Sequence, residues 1–382
     1  MQWNLKLTKI LLVTIILVFM ATTVKAEVDI KAESAILIEA KSGDIIHELN
    51  VDKKWYPASM TKLMTLAVVL DLLEKGQVDL NERVVTSENA ASYGGAQLYL
   101  EPGEEFTLDD MLKAIIIGSA NDASVAVAEH IAGSEQAFAE LMNEKAKEIG
   151  ALNTHFVNSH GLHDENHYTT AKDMALIGQY SLRFPKTLEY TSMQHCEFRK
   201  EPATERYSLN KLLWWYPGTD GFKTGTTSAA KRNFVGTVER DGLRLISVVM
   251  GVDEPNGHFR ETMKLFNHGF ANYIFKQFVA KNTVLGQIGI GKGEKDSVDV
   301  IAADNLGLSM PKGQDEGFEL KLLLKPSIEA PVSKGTIAGE LVITKGGSEI
   351  KRFELVTADS VQRGSFPRML GKVLKAVFSI TV

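Results

Sequence analysis

Three short runs in this chain carry residue types that together perform serine acyl transfer. Ser59-Met60-Thr61-Lys62 offers a hydroxyl and an amine three residues apart, Ser119-Ala120-Asn121 a second hydroxyl and an amide, and Lys223-Thr224-Gly225 a second amine, another hydroxyl and an open backbone. A serine hydroxyl is a poor nucleophile without an adjacent base. Lys62 becomes that base if burial and the like charge of Lys223 hold it neutral for part of the time. Ser119 is suited to pass a proton between Lys62 and a leaving amine, and Asn121 to hydrogen-bond a substrate amide. Lys223 and Thr224 are suited to hold a terminal carboxylate, while Gly225 admits the close approach of a substrate backbone. The backbone N–H groups of Ser59 and Thr226 are the candidate oxyanion hole.

Each run alone means little. Ser-x-x-Lys occurs five times, starting at Ser59, Ser208, Ser228, Ser309 and Ser348, and Ser-x-Asn recurs at Ser87 and Ser208. Lys-Thr-Gly occurs once, with Lys41-Ser42-Gly43 as a near match. Order and local structure discriminate among these copies. Ser59 opens an amphipathic helix running through Leu73, so Ser59 and Lys62 lie one turn apart on one face. The helix N-terminus adds unpaired N–H groups beside the developing oxyanion. Ser119 falls on a loop between helices at Met111 to Ile117 and Ala123 to Ile131, and Lys223 at the start of a strand.

The elements that must hold these runs are legible from periodicity. Glu33 to Ala40 and Ile45 to Glu48 read as a hairpin about Lys41-Ser42-Gly43-Asp44. Phe138 to Ile149 reads as a helix stopped by Gly150. Asn233 to Val238 and Arg244 to Met250 are strands joined at Asp241-Gly242, and Thr262 to Phe278 reads as a closing helix. The sum is an α+β domain, a sheet with a helical cluster, over residues 27–280. From 281 to 362 short strands (Phe318 to Leu324, Gly339 to Thr344, Ile350 to Val356) and glycine turns predict a small all-β domain. The last stretch, 363–382, reads as an amphipathic helix: Met369, Leu370, Val373, Leu374, Val377 and Phe378 share a face, with Arg368, Lys372 and Lys375 off it. Such a basic amphipathic tail suits an anionic membrane surface.

The chain of 382 residues is 44% hydrophobic and 24% charged, a soluble balance. Its net charge of −6 argues against a nucleic-acid partner. Lys6 and Lys9, the apolar run Ile10 to Met20 and the small residues of Val24-Lys25-Ala26 form a signal-peptide pattern over 1–26, with export across the cytoplasmic membrane as the consequence. Cys196 is the only cysteine, which excludes an internal disulfide and reads as a buried apolar residue. His155, His160, His163 and His167 invite a zinc reading, yet no His-Glu-x-x-His occurs and the segment is loop-like, so no metal or other cofactor is expected.

At the three runs the chain resembles the serine-type D-Ala-D-Ala carboxypeptidases, the low-molecular-weight penicillin-binding proteins of peptidase family S11. Tyr56 to Thr65, Gly118 to Ala123, Asn158-Ser159-His160-Gly161-Leu162 and Tyr216 to Gly225 are similar to that family's segments, over roughly 28–278 in all. The resemblance implies a β-lactamase/transpeptidase-like domain acting on the peptidoglycan stem pentapeptide. Ser59 would attack the bond between the two D-alanines and release the last one, and water would hydrolyse the acyl-enzyme; β-lactams would acylate Ser59 in its place. The signal pattern and the basic tail together point to a peripheral place on the outer face of the cytoplasmic membrane or in the periplasm. Thr226 departs from members that carry His after the third box, and Arg260 is a looser candidate for carboxylate binding. A β-lactamase would need Glu-x-x-Leu-Asn; Glu205 with Leu209-Asn210 misses that spacing by one residue. DD-transpeptidase or endopeptidase activity, or a non-catalytic wall-binding role, are the other readings of the same scaffold.

Overall fold

The structure is a computed structural model and describes residues 28–200, 203–368 and 370–371. The expected signal peptide, 1–26, lies outside the described residues, as do 369 and 372–382 of the expected C-terminal helix.

The first domain is built on an antiparallel sheet. Its strands are β1 (Ser34–Glu39), β2 (Ile45–Leu49), β7 (Thr219–Thr227), β8 (Lys231–Arg240) and β9 (Leu243–Val252), in the order β2-β1-β9-β8-β7. β1 is buried at every position, as a strand covered on both faces must be. On one face Ile36, Val235, Ile246 and Val248 meet the helical cluster; on the other Leu37, Phe234, Leu245 and Val249 meet the helix at Gly257–Asn272. The alternation of the pleat therefore decides which side of β7 carries chemistry. Lys223 pairs with Val235, so it projects toward the helical cluster.

That cluster holds α1 (Thr61–Glu74), the short α2 (Glu88–Ala91), α3 (Leu108–Ile117), α4 (Asn121–Ala132), α5 (Glu135–Glu148), α6 (Ala171–Ser181) and α7 (Pro185–Thr191). Two-stranded ribbons β3 (Arg83–Val85) with β4 (Glu105–Thr107), and β5 (His195–Lys200) with β6 (Ala203–Tyr207), border it. Ser87, Thr107, Ser134 and Thr170 cap their helices by accepting a backbone N–H in the first turn. A short α8 (Leu212–Trp215) precedes β7, and α9 (Gly257–Asn272) closes the far face of the sheet.

Two expectations change. The helix after Ser59 is not amphipathic: every residue from Thr61 to Asp71 is buried, because α1 runs through the middle of the cluster. A central helix is apolar all round, and its leucine spacing imitates a one-sided stripe. The expected helix from Thr262 to Phe278 ends at Asn272, and Tyr273–Val279 forms β10, paired with β13 (Leu306–Pro311). Tyr273, Ile274, Phe275, Phe278 and Val279 are β-favouring types, and pairing with β13 decides the segment.

The second domain is all β. β11 (Val284–Gly291), β12 (Ser297–Ala302), β14 (Phe318–Leu324), β15 (Ser327–Glu329), β16 (Ile337–Lys345) and β17 (Ser348–Thr357) form one sheet in the order β14-β16-β17-β12-β11-β15. Its core holds Val300, Ala338, Leu355 and Val361. Ser309 Oγ on β13 donates to Glu39 Oε1 on β1 at 2.9 Å, tying the two domains. A cavity of about 640 Å³ lies at this junction, lined by Glu39, Lys41, Phe275 and Phe353, away from Ser59.

Candidate active site

Ser59 sits on a single 3-10 turn, Ala58–Met60, that runs straight into α1, rather than on the first turn of an α-helix. Lys62 is the second residue of α1 and is fully buried. Its Nζ lies 3.1 Å from Ser59 Oγ, 2.7 Å from Asn121 Oδ1 and 2.6 Å from the His160 carbonyl oxygen. The carbonyl and the amide oxygen only accept. Asn121 is held in that orientation because its Nδ2 donates to Gly94 O at 2.8 Å. A neutral Lys62 therefore spends its two N–H bonds on Asn121 and His160 and turns its lone pair to the Ser59 hydroxyl. Burial first, and the positive charge of Lys223 second, push the Lys62 amine well below the ordinary lysine range.

Lys223 reaches the same cleft from the middle of β7, not from its start. Its Nζ is 3.0 Å from Ser119 Oγ and 3.2 Å from Thr224 O, and burial lowers its pKa to about 7. Ser119 is buried on the loop between α3 and α4 with φ of 58°. A left-handed serine is strained backbone, of the kind that clusters at functional sites. The hydrogen bonds thus pair Ser59 with Lys62 and Ser119 with Lys223. Thr224 is buried beside Lys223, and Thr226 is exposed one residue beyond Gly225.

The bare backbone of Gly225 also makes room within the protein itself. A Cβ there would stand 2.5 Å from Pro57 O, 2.9 Å from Met60 N and 3.1 Å from Ser59 N. Its missing side chain makes room for the Ser59 turn, which packs directly on β7. Asn233, paired with Gly225 across the ladder, grips the same segment: its Nδ2 donates to Tyr56 O at 2.8 Å while its Oδ1 accepts from Gly251 N at 2.7 Å.

Several supporting residues escaped the sequence reading. Glu135, at the start of α5, accepts from Ser159 N, Ser159 Oγ and Tyr93 OH at 3.1, 2.8 and 3.0 Å. His160 Nε2 stands 3.1 Å from the same carboxylate but is turned out of hydrogen-bonding alignment. Despite burial, the facing His160 ring first and then the two Ser159 donors hold the Glu135 carboxyl down at about 2. Asp122 receives Leu98 N at 3.0 Å and Leu100 N at 3.1 Å, and Asn121 N donates to Ala96 O at 2.7 Å. Arg199 on β5 clamps Glu104 with two bonds of 2.6 Å and also donates to Leu98 O and Tyr99 O. The rim over residues 94–104 is therefore fixed to the second box from one side and to the β5–β6 ribbon from the other. Only Asp122, an acid in the first turn of α4, left a sequence signal for this.

The remaining candidates go elsewhere. The four histidines of the zinc reading hold separate partners: His155 Nδ1 meets Asn166 O at 2.7 Å, His160 faces Glu135, His163 packs edge-on to Tyr56, and His167 meets Thr61 Oγ1 at 2.7 Å. Cys196 is half-buried rather than buried, because β5 lies at the molecular edge, and burial raises its thiol pKa. Arg260 is exposed and pairs with Glu254 and the Pro255 carbonyl.

Comparison with known proteins places this geometry in a family. Residues 20–254 match the family model described as D-alanyl-D-alanine carboxypeptidase, and residues 273–363 match that of the penicillin-binding protein 5 C-terminal domain. The chain is 34% identical to the D-alanyl-D-alanine carboxypeptidase DacF of Bacillus subtilis, over 90% of this chain and 89% of that protein. It is also 34% identical to the DacA carboxypeptidase of Haemophilus influenzae, over 92% and 91%. Among solved structures, penicillin binding protein 5 from Haemophilus influenzae aligns with a TM-score of 0.66 and 33% identity, covering 88% of this chain and 98% of that one. PBP3 from Streptococcus pneumoniae aligns with a TM-score of 0.70 and 27% identity, covering 87% and 100%.

Proposed function

The chain belongs to the D-alanyl-D-alanine carboxypeptidase family and is a serine-type D-Ala-D-Ala carboxypeptidase; we propose that Ser59 carries its acyl group and that Lys62 is the base. The observation that carries this assignment is the buried Lys62 amine, 3.1 Å from Ser59 Oγ with its other N–H directions taken.

The reaction follows from the placement. Ser59 Oγ attacks the carbonyl carbon of the penultimate D-alanine and its proton passes to Lys62 Nζ. The oxygen that becomes negative lies between the N–H groups of Ser59 and Thr226, whose fixed dipoles stabilise it without reorganisation. Lys223, with Thr224, holds the terminal carboxylate, its third N–H having no protein acceptor among the described residues. Collapse breaks the C–N bond, and the Lys62 ammonium gives its proton through Ser119 to the departing D-alanine nitrogen, which leaves Lys62 neutral again. Water then adds to the ester with Lys62 again taking the proton, and Ser59 is regenerated. β-Lactams enter by the same attack and leave their acyl group on Ser59.

Export through the 1–26 segment and peripheral attachment through the basic amphipathic tail complete the proposal. The exposed Phe366 and Leu370 at the start of that tail support a membrane-facing end. Incubation with a stem pentapeptide should release D-alanine, and a fluorescent penicillin should label the wild-type protein but not Ser59→Ala. An unlabelled wild-type protein would sink the assignment of Ser59.

A further inference from the structure

Thr61 lies inside the nucleophile's own box yet has no part in the steps above. It is fully buried, and its hydroxyl links the Ser59 turn to the loop that also meets Lys62 through the His160 carbonyl. Thr61 Oγ1 donates to Ala58 O at 2.8 Å, and the same oxygen meets His167 Nε2 at 2.7 Å. His167 Nδ1 accepts the Val157 N–H at 3.1 Å. A backbone N–H only donates, so Nδ1 is the unprotonated nitrogen and Nε2 carries the hydrogen. The direction of the whole chain is then fixed: His167 donates to Thr61, and Thr61 donates to Ala58. Burial lowers the His167 pKa to about 3, which keeps this tautomer neutral at any working pH.

The far end of the chain matters because of what shares its peptide. Ala58 O and the Ser59 N–H belong to one trans peptide unit, so they point in opposite directions. On the Ala58 O side, a Cβ at Gly161 would come within 1.9 Å of that oxygen and 2.8 Å of Thr61 Oγ1. On the Ser59 N side, a Cβ at Gly225 of β7 would stand 3.1 Å from that nitrogen. Ala58 itself has φ of 49°, a strained conformation for alanine that surrounding contacts must hold.

We propose that His167 and Thr61 form a positioning relay: by pinning the Ala58 carbonyl, they aim the Ser59 N–H at the oxygen that becomes negative in the reaction. This rests on Ser59 being the nucleophile. Thr61→Val keeps the side-chain shape and removes the hydroxyl, and Thr61→Ser keeps the hydroxyl. His167→Leu removes the ring donor without touching the box, and His167→Gln restores an N–H donor.

The test measures the acylation rate constant and the prior non-covalent dissociation constant with a fluorescent penicillin. A second readout is the preference for an ester substrate over its thiono analogue, whose sulfur accepts hydrogen bonds poorly. The expected result is an acylation rate about tenfold lower in Thr61→Val and His167→Leu, short of the loss on deleting an oxyanion donor outright. The dissociation constant should stay within about twofold and the oxo-over-thiono preference should shrink, with Thr61→Ser and His167→Gln recovering most of both. If Thr61→Val does not fold, the two His167 variants decide the matter. Unchanged acylation, or a loss of rate with the oxo-over-thiono preference intact, would overturn the relay while leaving Ser59 in place. Failure of the wild-type protein to label would instead overturn the Ser59 assignment and the relay with it.

Discussion

In the proposed mechanism the two lysines of the cleft divide their work by protonation: Lys62 must be neutral to take the Ser59 proton, whereas Lys223 must be charged to hold a carboxylate. Both amines are lowered by burial, and Lys62 is lowered further by its neighbour's charge. In the free enzyme, kcat/KM should therefore rise as Lys62 loses its proton and fall as Lys223 loses its own, near pH 7. A substrate ending in a carboxamide should lose the falling limb, since it gains nothing from a charged Lys223. A falling limb of equal size with the amide would assign it to another group. Burial and the Lys223 charge set the rising limb, and Asp122 and then Glu135 oppose them, because their charges favour the protonated form of Lys62. Glu135→Gln should shift that limb to lower pH. The same variant tests stability with a definite sign: the folded carboxyl sits at about 2 against an ordinary 4.5, so its stabilisation is complete above 4.5 and fades as pH falls toward 2. Denaturant melts of Glu135→Gln and wild type should differ at pH 7 and converge in acid.

At the scale of elements, the site is a contact between a turn and a strand edge. The 3-10 turn at Ala58–Met60 packs on β7 so closely that Gly225 is left no room for a methyl group. Gly225→Ala should push the two apart, costing about 1–3 kcal/mol of stability and nearly all penicillin labelling. Labelling at the wild-type rate would show that the turn can yield. The third box was legible as a residue pattern, and so was the nearness of Ser59 to Lys62; the bond between Lys223 and Ser119 was not, since the sequence reading set Ser119 beside Lys62. The reason glycine ends that box was not, because a steric gap between segments over 160 residues apart leaves no local signal. The same is true of Asn233 and Glu135, which act through contacts that only the folded chain creates. The β5–β6 ribbon was missed because His195–Lys200 and Ala203–Tyr207 carry little apolar alternation, being held by pairing and by Arg199 on Glu104. At Tyr273 the apolar residues suit either period, and the partner strand β13 decides.

On the scale of the whole molecule, the α+β domain and the all-β domain were both visible in the pattern of periods and turns, but their joint was not. The chain leaves α9 directly into β10, so the second domain begins without a linker, and the Ser309–Glu39 bond fastens it to the first strand of the catalytic sheet. The proposed attachment should be separable from chemistry, because Ser59, Lys62, Ser119, Asn121, Lys223 and Thr226 all belong to the first domain. Deleting 369–382 should abolish sedimentation with vesicles containing anionic lipid and leave kcat/KM on a soluble pentapeptide unchanged. Full-length protein should bind such vesicles less as salt rises, since Arg368, Lys372 and Lys375 contribute by charge, yet retain a salt-resistant fraction from the apolar face. Binding that survives the deletion would move the membrane contact to another surface. Loss of kcat/KM with the deletion would mean that the tail reaches the catalytic domain.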